Sequence, residues 1–189
     1  MATVEANISM SVDGFITGPD PDRHAGLGRG GEVLHAWLEE NRSMDLAMGE
    51  ERQIAGSVIT SRKVYDETAG WGNEDGFFRL PVFVLTHRPH DVVAMGRTTF
   101  TFVTEGIERA VEQAVAAAGD KRVHVMGGAS VVQQALAAGL VDELFLHVAP
   151  VLLSGGTRLF EHLSGPVQLE RLEVIESRRA THLRYRVLR

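Results

Sequence analysis

Residues 122–150 read RVHVMGGASVVQQALAAGLVDELFLHVAP, and this stretch decides the fold. The apolar run Arg122–Met126 predicts a buried strand, and the run 141–153 predicts a second one. Between the two runs, apolar residues recur at helical spacing until Gly139, which marks the end of a helix. A strand, a helix and a strand in this order predict a parallel crossover, in which helices cover the sheet.

The alternation of strand and helix patterns continues on both sides of this stretch. Further strands are predicted at Val4–Met10, Gly56–Thr60, Pro81–His87 and Thr98–Val103, and helices at Glu32–Ile54, from Ser61 onward and at Gly106–Ala118. The runs Val167–Ile175 and Thr181–Leu188 predict a closing antiparallel hairpin. We therefore expect one α/β domain over residues 1–189, with three layers: a mixed, mostly parallel sheet of about eight strands and helices on both faces.

The composition excludes several classes of protein. Cysteine is absent, which excludes disulfides, iron–sulfur clusters and thiolate zinc sites. The formal net charge of −6 argues against a nucleic-acid partner, because such proteins carry a basic face. We expect no signal peptide and no membrane span, since no apolar stretch approaches the roughly 20 residues of a membrane helix. The sequence thus predicts a soluble cytoplasmic protein, and no histidine spacing indicates a metal site.

The pair Gly127–Gly128 lies where the predicted strand becomes the predicted helix. A helix N-terminus carries unpaired N–H groups and a partial positive charge, so a phosphate or diphosphate would fit at a turn without side chains. Glycines are also common at such turns because they adopt positive φ angles, and the pair alone leaves both interpretations open. Ser130, followed by Gln133 three residues later, predicts the capping box of this helix.

Two other predicted strands end in hydroxyl and cationic side chains, at 61–63 and at 86–88. In open α/β sheets, ligands bind at the carboxyl ends of the strands. Arginine and lysine there suit phosphate groups. Taken singly, each of these cations is better explained as a solvated loop residue. Together with the glycine pair, the three strand ends predict a site for one long anionic ligand, such as an adenine dinucleotide with a 2′-phosphate.

The chain resembles the dihydrofolate-reductase-like fold over most of residues 3–188. Within that fold it is most similar to the reductase domain of the bifunctional riboflavin-biosynthesis deaminase–reductase and to its stand-alone relatives. The segments that carry the resemblance are ISMSVDGFITG (8–18), VITSRKVY (58–65), PVFVLTHRP (81–89), TTFTFVTEGIERAVEQA (98–114) and VMGGASVVQQALAAGLVDELFLHVAPVLLSGGTRLF (125–160). The last segment is the most specific, because its three motifs follow one another in the family's order.

The resemblance implies an NADPH-dependent oxidoreductase of riboflavin biosynthesis that forms a homodimer. Its substrate would be a small heterocycle or a phosphoribosylamino-pyrimidine, as in a 5-amino-6-(5-phosphoribosylamino)uracil reductase. The implied NADPH-binding residues fall into a nicotinamide set, an adenosine-phosphate set and a diphosphate set. They are Ser9 and Ile16; Arg62, Lys63, Thr86, His87 and Arg88; and Gly127, Gly128, Ala129, Ser130 and Val131.

The sequence departs from this pattern in two places. Ser61 stands where the family usually has a glycine, which places a side chain near the expected phosphate. With Trp37 aligned to the family's helix aromatic, Leu34 stands at the position where dihydrofolate reductases carry an acid. The candidates for the proton donor are therefore Asp13, His35 and Glu32. Asp13 is equally well explained as the cap of the turn before Gly14, and His35 as a packing residue.

Two alternative functions stay open on the sequence alone. The chain is a dihydrofolate or pterin reductase if the pocket holds a buried carboxylate from the first helix. It is a catalytically inactive nucleotide-binding module if Thr60–Ser61 prevents productive binding.

Overall fold

The computed structural model describes residues 2–21, 26–39, 55–72 and 78–189. In these residues the strands are β1 (Val4–Ser11), β2 (Ala55–Ser61), β3 (Pro81–Leu85), β4 (Val93–Met95), β5 (Thr98–Val103), β6 (Arg122–Val125), β7 (Glu143–Ala149), β8 (Leu169–Glu176) and β9 (Thr181–Val187). The helices are α1 (Arg62–Glu67), α2 (Ile107–Ala118) and α3 (Ala129–Ala137), with 3₁₀ helices at Gly31–Glu39 and Ala69–Trp71. No helix among the described residues has the length and apolar character needed to cross a membrane.

All nine strands form one sheet in the order β4-β5-β3-β2-β6-β1-β7-β9-β8. In this spatial order, the six strands from β5 to β7 are parallel to one another. The strands at the two edges pair antiparallel: β4 with β5 at one edge, and β9 with β7 and β8 at the other. This confirms the predicted mixed, mostly parallel sheet and the closing hairpin. The ninth strand is β4, whose three residues are too short to give a period-two pattern.

Of two sequence predictions about helices, one lies partly outside the described residues and the other is wrong. The predicted helix Glu32–Ile54 begins as the 3₁₀ helix Gly31–Glu39, and the rest of it lies outside the described residues. The predicted capping box of α3 is wrong, because Gly128 occupies the N-cap and no side chain caps the helix. Gln133 instead donates from Nε2 to the carbonyl of Leu159 (2.7 Å).

Helices α2 and α3 cover one face of the sheet and bury its largest apolar cluster. Small residues let α2 approach β2 closely: a Cβ at Gly56 would lie 2.5 Å from the carbonyl oxygen of Ala118. Next to it, Ser57 Oγ donates to the carbonyl of Ala114 (2.8 Å). Glycine and serine at these β2 positions are therefore required by packing against the helix.

The opposite face carries two smaller apolar clusters, one on each side of a polar centre. One cluster contains Trp37, Phe145 and Ala180, and the other is built around Val58, Val82, Val84 and Phe100. The first cluster lies under the 3₁₀ helix Gly31–Glu39, and the second lies under α1 and the segments that follow it. Together with α2 and α3 on the first face, these segments complete the predicted three layers.

The polar centre of this face begins at Glu5, a fully buried carboxylate on β1. Its Oε2 accepts from Arg184 Nη1 (2.7 Å) and from Arg122 Nη1 (3.2 Å), and both arginines also contact Glu143. Burial raises the pKa of the Glu5 carboxyl, and the two guanidinium groups oppose that rise. The cluster ties β1 to β6, β7 and β9 across the middle of the sheet.

We expect the substitution Glu5→Gln to lower the free energy of unfolding by about 3 kcal/mol, because it leaves two partly buried guanidinium groups without their shared carboxylate. Chemical denaturation followed by circular dichroism measures this. The matched control is Glu170→Gln, which removes the half-exposed partner of Arg186 (2.6 Å) and should cost less than about 1 kcal/mol. Equal losses in the two variants would show that the buried cluster adds nothing beyond an ordinary surface pair.

Candidate functional site

Two adjoining cavities open at the carboxyl ends of the parallel strands. The larger, about 920 Å³, lies over β1, β6 and β7, and the smaller, about 450 Å³, lies over the ends of β3 and β5. Ser61, Lys63 and Ser130 line both cavities. The two cavities are therefore parts of one cleft, which is long enough to take an extended ligand.

Gly127 and Gly128 form the corner at the middle of this cleft, between β6 and α3. The carbonyl of Gly127 accepts from the backbone N–H of Ser61 (2.9 Å), so the turns that follow β2 and β6 are joined. A Cβ added at Gly128 would lie 3.5 Å from Ser61 Oγ and 3.6 Å from Val64 Cγ2, where it would narrow the cleft without a clash. The corner is open, and α3 begins there without a side-chain cap on its first turn.

Ser61, the residue that departs from the family's glycine, is turned toward α1. Its Oγ accepts from the N–H of Val64 (3.1 Å) and caps that helix. The N–H of Gly128 also lies 3.4 Å from the same oxygen. The serine side chain therefore lies at the wall of the cleft and leaves the glycine corner open.

Two of the cations predicted to bind phosphate, Arg62 and Arg88, line the smaller cavity and are held by one carboxylate. Asp66 accepts from Arg62 Nε through Oδ1 (2.8 Å) and from Arg88 Nη2 through Oδ2 (3.0 Å). Partial burial alone would raise the pKa of Asp66, but the two arginines lower it below its usual value. The Arg62 guanidinium also lies 5.3 Å from the ring centre of Phe102. This arrangement presents a fixed pair of guanidinium groups.

The other predicted coenzyme residues occupy the same cleft. Thr86 Oγ1 accepts from the N–H of Arg88 (3.0 Å), which shapes the loop after β3. Lys63 pairs with Glu67 (3.7 Å) at the junction of the cavities. His87 and Val131 line the smaller cavity, and Ala129 lines the larger. The structure therefore brings together all the residues predicted for the adenosine and diphosphate ends.

The far end of the larger cavity contains the residues predicted for the nicotinamide and the proton donor. Ser9 and Ile16 line it, and Ser9 Oγ accepts from Trp37 Nε1 (3.0 Å). His35 also lines it, half-buried, and burial lowers the pKa of its imidazole. Glu32 lines the rim as an exposed side chain, whereas Leu34 is fully buried.

The structure does not bring Asp13 to the cavity. Its carboxylate accepts from the N–H groups of Leu153 (3.1 Å) and Ser154 (2.8 Å), which fixes the loop after β7. A hydrogen bond from Ser11, assisted by these backbone bonds, lowers the pKa of Asp13 to about 2. Asp13 is therefore an ionised loop cap, and its assignment as a catalytic acid needs correction.

Sequence reasoning missed several residues that line the larger cavity. The most important are Asn7 on β1 and His147 on β7, whose side chains are hydrogen-bonded to each other (2.9 Å). Trp71 and Met126 also line it. The available signal was a polar residue inside an apolar strand, at Asn7 and at His147, since such a residue is buried only with a partner.

Comparison with known proteins agrees with this geometry. The family model for the RibD C-terminal domain matches residues 2–183. No curated protein sequence matches the chain significantly. In the part of the chain that the structure describes, no group of three or more histidine and carboxylate residues is arranged to hold a metal ion.

Solved structures share the fold at low sequence identity. A protein from Shewanella sp. PV-4, provisionally assigned to riboflavin biosynthesis, has a TM-score of 0.74 and 22% identity, with 100% of both chains covered. The deaminase/5-amino-6-(5-phosphoribosylamino)uracil reductase of Thermotoga maritima has a TM-score of 0.66 and 14% identity, with 99% of this chain and 57% of that chain covered. Dihydrofolate reductase from Enterococcus faecalis, complexed with NADP(H), has a TM-score of 0.59 and 16% identity, with 98% and 96% covered.

The family match spans nearly the whole described chain, and its open cleft lies where the fold places ligands. The chain belongs to the RibD C-terminal domain family of oxidoreductases.

Proposed function

We propose that the protein is an NADPH-dependent reductase that transfers a hydride to a pyrimidine-type heterocycle. The observation that carries this proposal is the continuous cleft in which the open Gly127–Gly128 corner lies between a guanidinium pair and a largely apolar cavity. An extended ligand with anionic groups at one end and in its middle, and a flat ring at the other, matches this order of chemistry.

The residues present fit such a coenzyme. The first turn of α3 would hold the diphosphate through backbone N–H groups. Arg62 and Arg88 would hold a 2′-phosphate, because guanidinium groups bind phosphate oxygens in pairs. Ser9 and Ile16 would border the nicotinamide ring. NADPH, when bound, supplies the hydride, and the protein supplies its orientation and surroundings.

The substrate end of the cleft favours a pyrimidine-type heterocycle over a pterin that is bound in the manner of dihydrofolate. The described residues of the first helix offer no buried carboxylate there, since Leu34 is packed in the core and Glu32 is exposed. The indole of Trp37 instead forms part of the wall. The family and the reductase activity for which the Thermotoga maritima relative is named both support a phosphoribosylamino-pyrimidine as the substrate.

We expect NADPH to bind and to quench the fluorescence of the protein, because both of its tryptophans, Trp37 and Trp71, line the larger cavity. The substitution Gly128→Ala should weaken binding ten- to a hundredfold, since hydrogen bonds to a charged group contribute about 1.5–3 kcal/mol. The fold should survive, because the φ angle of Gly128 is −67°. The control, Gly165→Ala, adds a methyl group in open space and should bind like wild type.

We expect turnover of 5-amino-6-(5-phosphoribosylamino)uracil, measured as loss of NADPH absorbance. Tight NADPH binding without turnover of this or any other heterocycle would instead support the inactive nucleotide-binding module. An absence of NADPH binding would contradict both interpretations.

His35 is the proposed proton donor, since it is the half-buried titratable group at the substrate end. Because burial lowers its pKa below 6.5, its acid form accumulates only as the pH falls through that lowered value. We therefore expect kcat to rise toward acid pH in wild type. His35→Gln should remove this rise and lower kcat about a hundredfold, while His90→Gln, on an exposed loop outside both cavities, should not. A pH profile unchanged in His35→Gln would assign the proton to water.

A further inference from the structure

We propose that His147 is a positioning residue of the cleft, held by a buried hydrogen-bonded chain as the Nε2–H tautomer, and that its ring fixes the nearly buried indole of Trp37 in the wall against which the substrate's heterocycle binds. The chain runs through Glu5, Asn7, His147 and His182. The proposal rests on the proposed function only for the identity of that heterocycle.

The chain begins at Glu5, which sets the orientation of the Asn7 amide. Two guanidinium groups, from Arg122 and Arg184, donate to Glu5 Oε2 and hold the group as a carboxylate, which only accepts hydrogen bonds. Asn7 Nδ2 donates to Glu5 Oε1 (3.3 Å). The amide oxygen of Asn7 is therefore turned away from Glu5, along the same face of β1, toward His147.

This orientation decides which ring nitrogen of His147 carries the proton. His147 Nε2 lies 2.9 Å from Asn7 Oδ1, which is an acceptor, so Nε2 must donate. A neutral imidazole has one N–H, which leaves Nδ1 as an acceptor. The Nδ1 atom of His182 lies 2.8 Å away and therefore donates to it. Both nitrogens of His147 are committed inside the protein, and the residue acts on the cleft through its ring surface.

The ring of His147 contacts the indole of Trp37, with centroids 4.3 Å apart and planes inclined by 34°. The indole is also fixed by its hydrogen bond to Ser9 Oγ (3.0 Å), and Ser9 is the β1 residue that pairs with His147 of β7. All three residues line the larger cavity. The position and tilt of the indole therefore depend on His147 as well as on Ser9.

The groups that face His147 keep it uncharged. His35 approaches from the 3₁₀ helix, and His182 and Arg184 approach from β9; the nearby Glu5 carboxylate is already engaged by two arginines. Burial, strengthened by these cationic or protonatable neighbours, lowers the pKa of His147 well below 6.5. The support that His147 gives to Trp37 should therefore keep one protonation state across the neutral pH range.

The first experiment reads the tautomer directly in full-length protein labelled with ¹⁵N-histidine. We expect the NMR spectrum to show a protonated Nε2 and an unprotonated Nδ1 for His147, with no titration near pH 6.5. In Asn7→Leu, which matches the shape of asparagine but accepts no hydrogen bond, this fixed tautomer should be lost. A protonated Nδ1, or ordinary titration of His147 in wild type, would overturn the proposal.

The second experiment tests the role in the cleft with His147→Gln, which keeps an N–H donor for Asn7 but removes the ring. We expect KM for 5-amino-6-(5-phosphoribosylamino)uracil to rise about tenfold, as an aromatic contact of up to about 1.5 kcal/mol implies. The dissociation constant of NADPH and the kcat should change less than about threefold, a split that general destabilisation would not produce. An unchanged KM would overturn the proposal.

A third readout separates failure of this inference from failure of the proposed function. In a Trp71→Phe background, Trp37 is the only tryptophan, so acrylamide quenching reports its exposure without any substrate. His147→Gln should raise the quenching constant at least twofold, and the control His90→Gln should leave it unchanged. If His147→Gln does not fold by circular dichroism, His182→Gln, which weakens the same chain one step further from the cleft, takes its place. Unchanged quenching in a folded variant would contradict the role of His147 even if the protein reduces another heterocycle.

Discussion

One buried carboxylate, Glu5, is the constraint on which the centre of this structure depends. It lies on β1, an interior strand between β6 and β7, where an uncompensated charge would cost several kcal/mol. Arg122 from β6 and Arg184 from β9 must therefore reach it, and this requirement fixes the register of four neighbouring strands. The same carboxylate orients Asn7, so one electrostatic requirement links the packing of the sheet to the floor of the cleft.

The division of the cleft into a cationic end and a largely apolar end follows from the order of strands. The parallel strands β3, β2 and β6 deliver cations and the glycine corner on one side, and β1 and β7 deliver Ser9, Asn7 and His147 on the other. Asp66 joins Arg62 and Arg88, which come from two different strand ends. Their spacing is thus set before a ligand arrives, which reduces the ordering cost of binding.

The fold was predictable because its strands and helices have strong local patterns, and the glycine corner because strand, Gly-Gly and helix follow one another without interruption. The floor of the cleft was not. Alternation along Val4–Met10 predicts a strand with a polar face, but a period of two does not reveal that Glu5 and Ser9 on that face are buried. Their partners lie more than twenty residues away in sequence, on segments that meet only after the sheet has formed.

Asp13 misled for the converse reason: an acid beside a glycine at the mouth of a loop has the same local sequence whether it faces a ligand or caps backbone N–H groups.

Ser61 shows how a departure from the family's pattern is compatible with the same site. A side chain in place of glycine would obstruct a phosphate if it pointed into the cleft. Here its hydroxyl is engaged by the N–H of Val64, so the short helix α1 is capped by its own residue. Of α1 and α3, α1 has a side-chain cap at its N-terminus and α3 has none. The serine hydroxyl is therefore engaged in capping α1, and the Gly127–Gly128 corner stays open beside it.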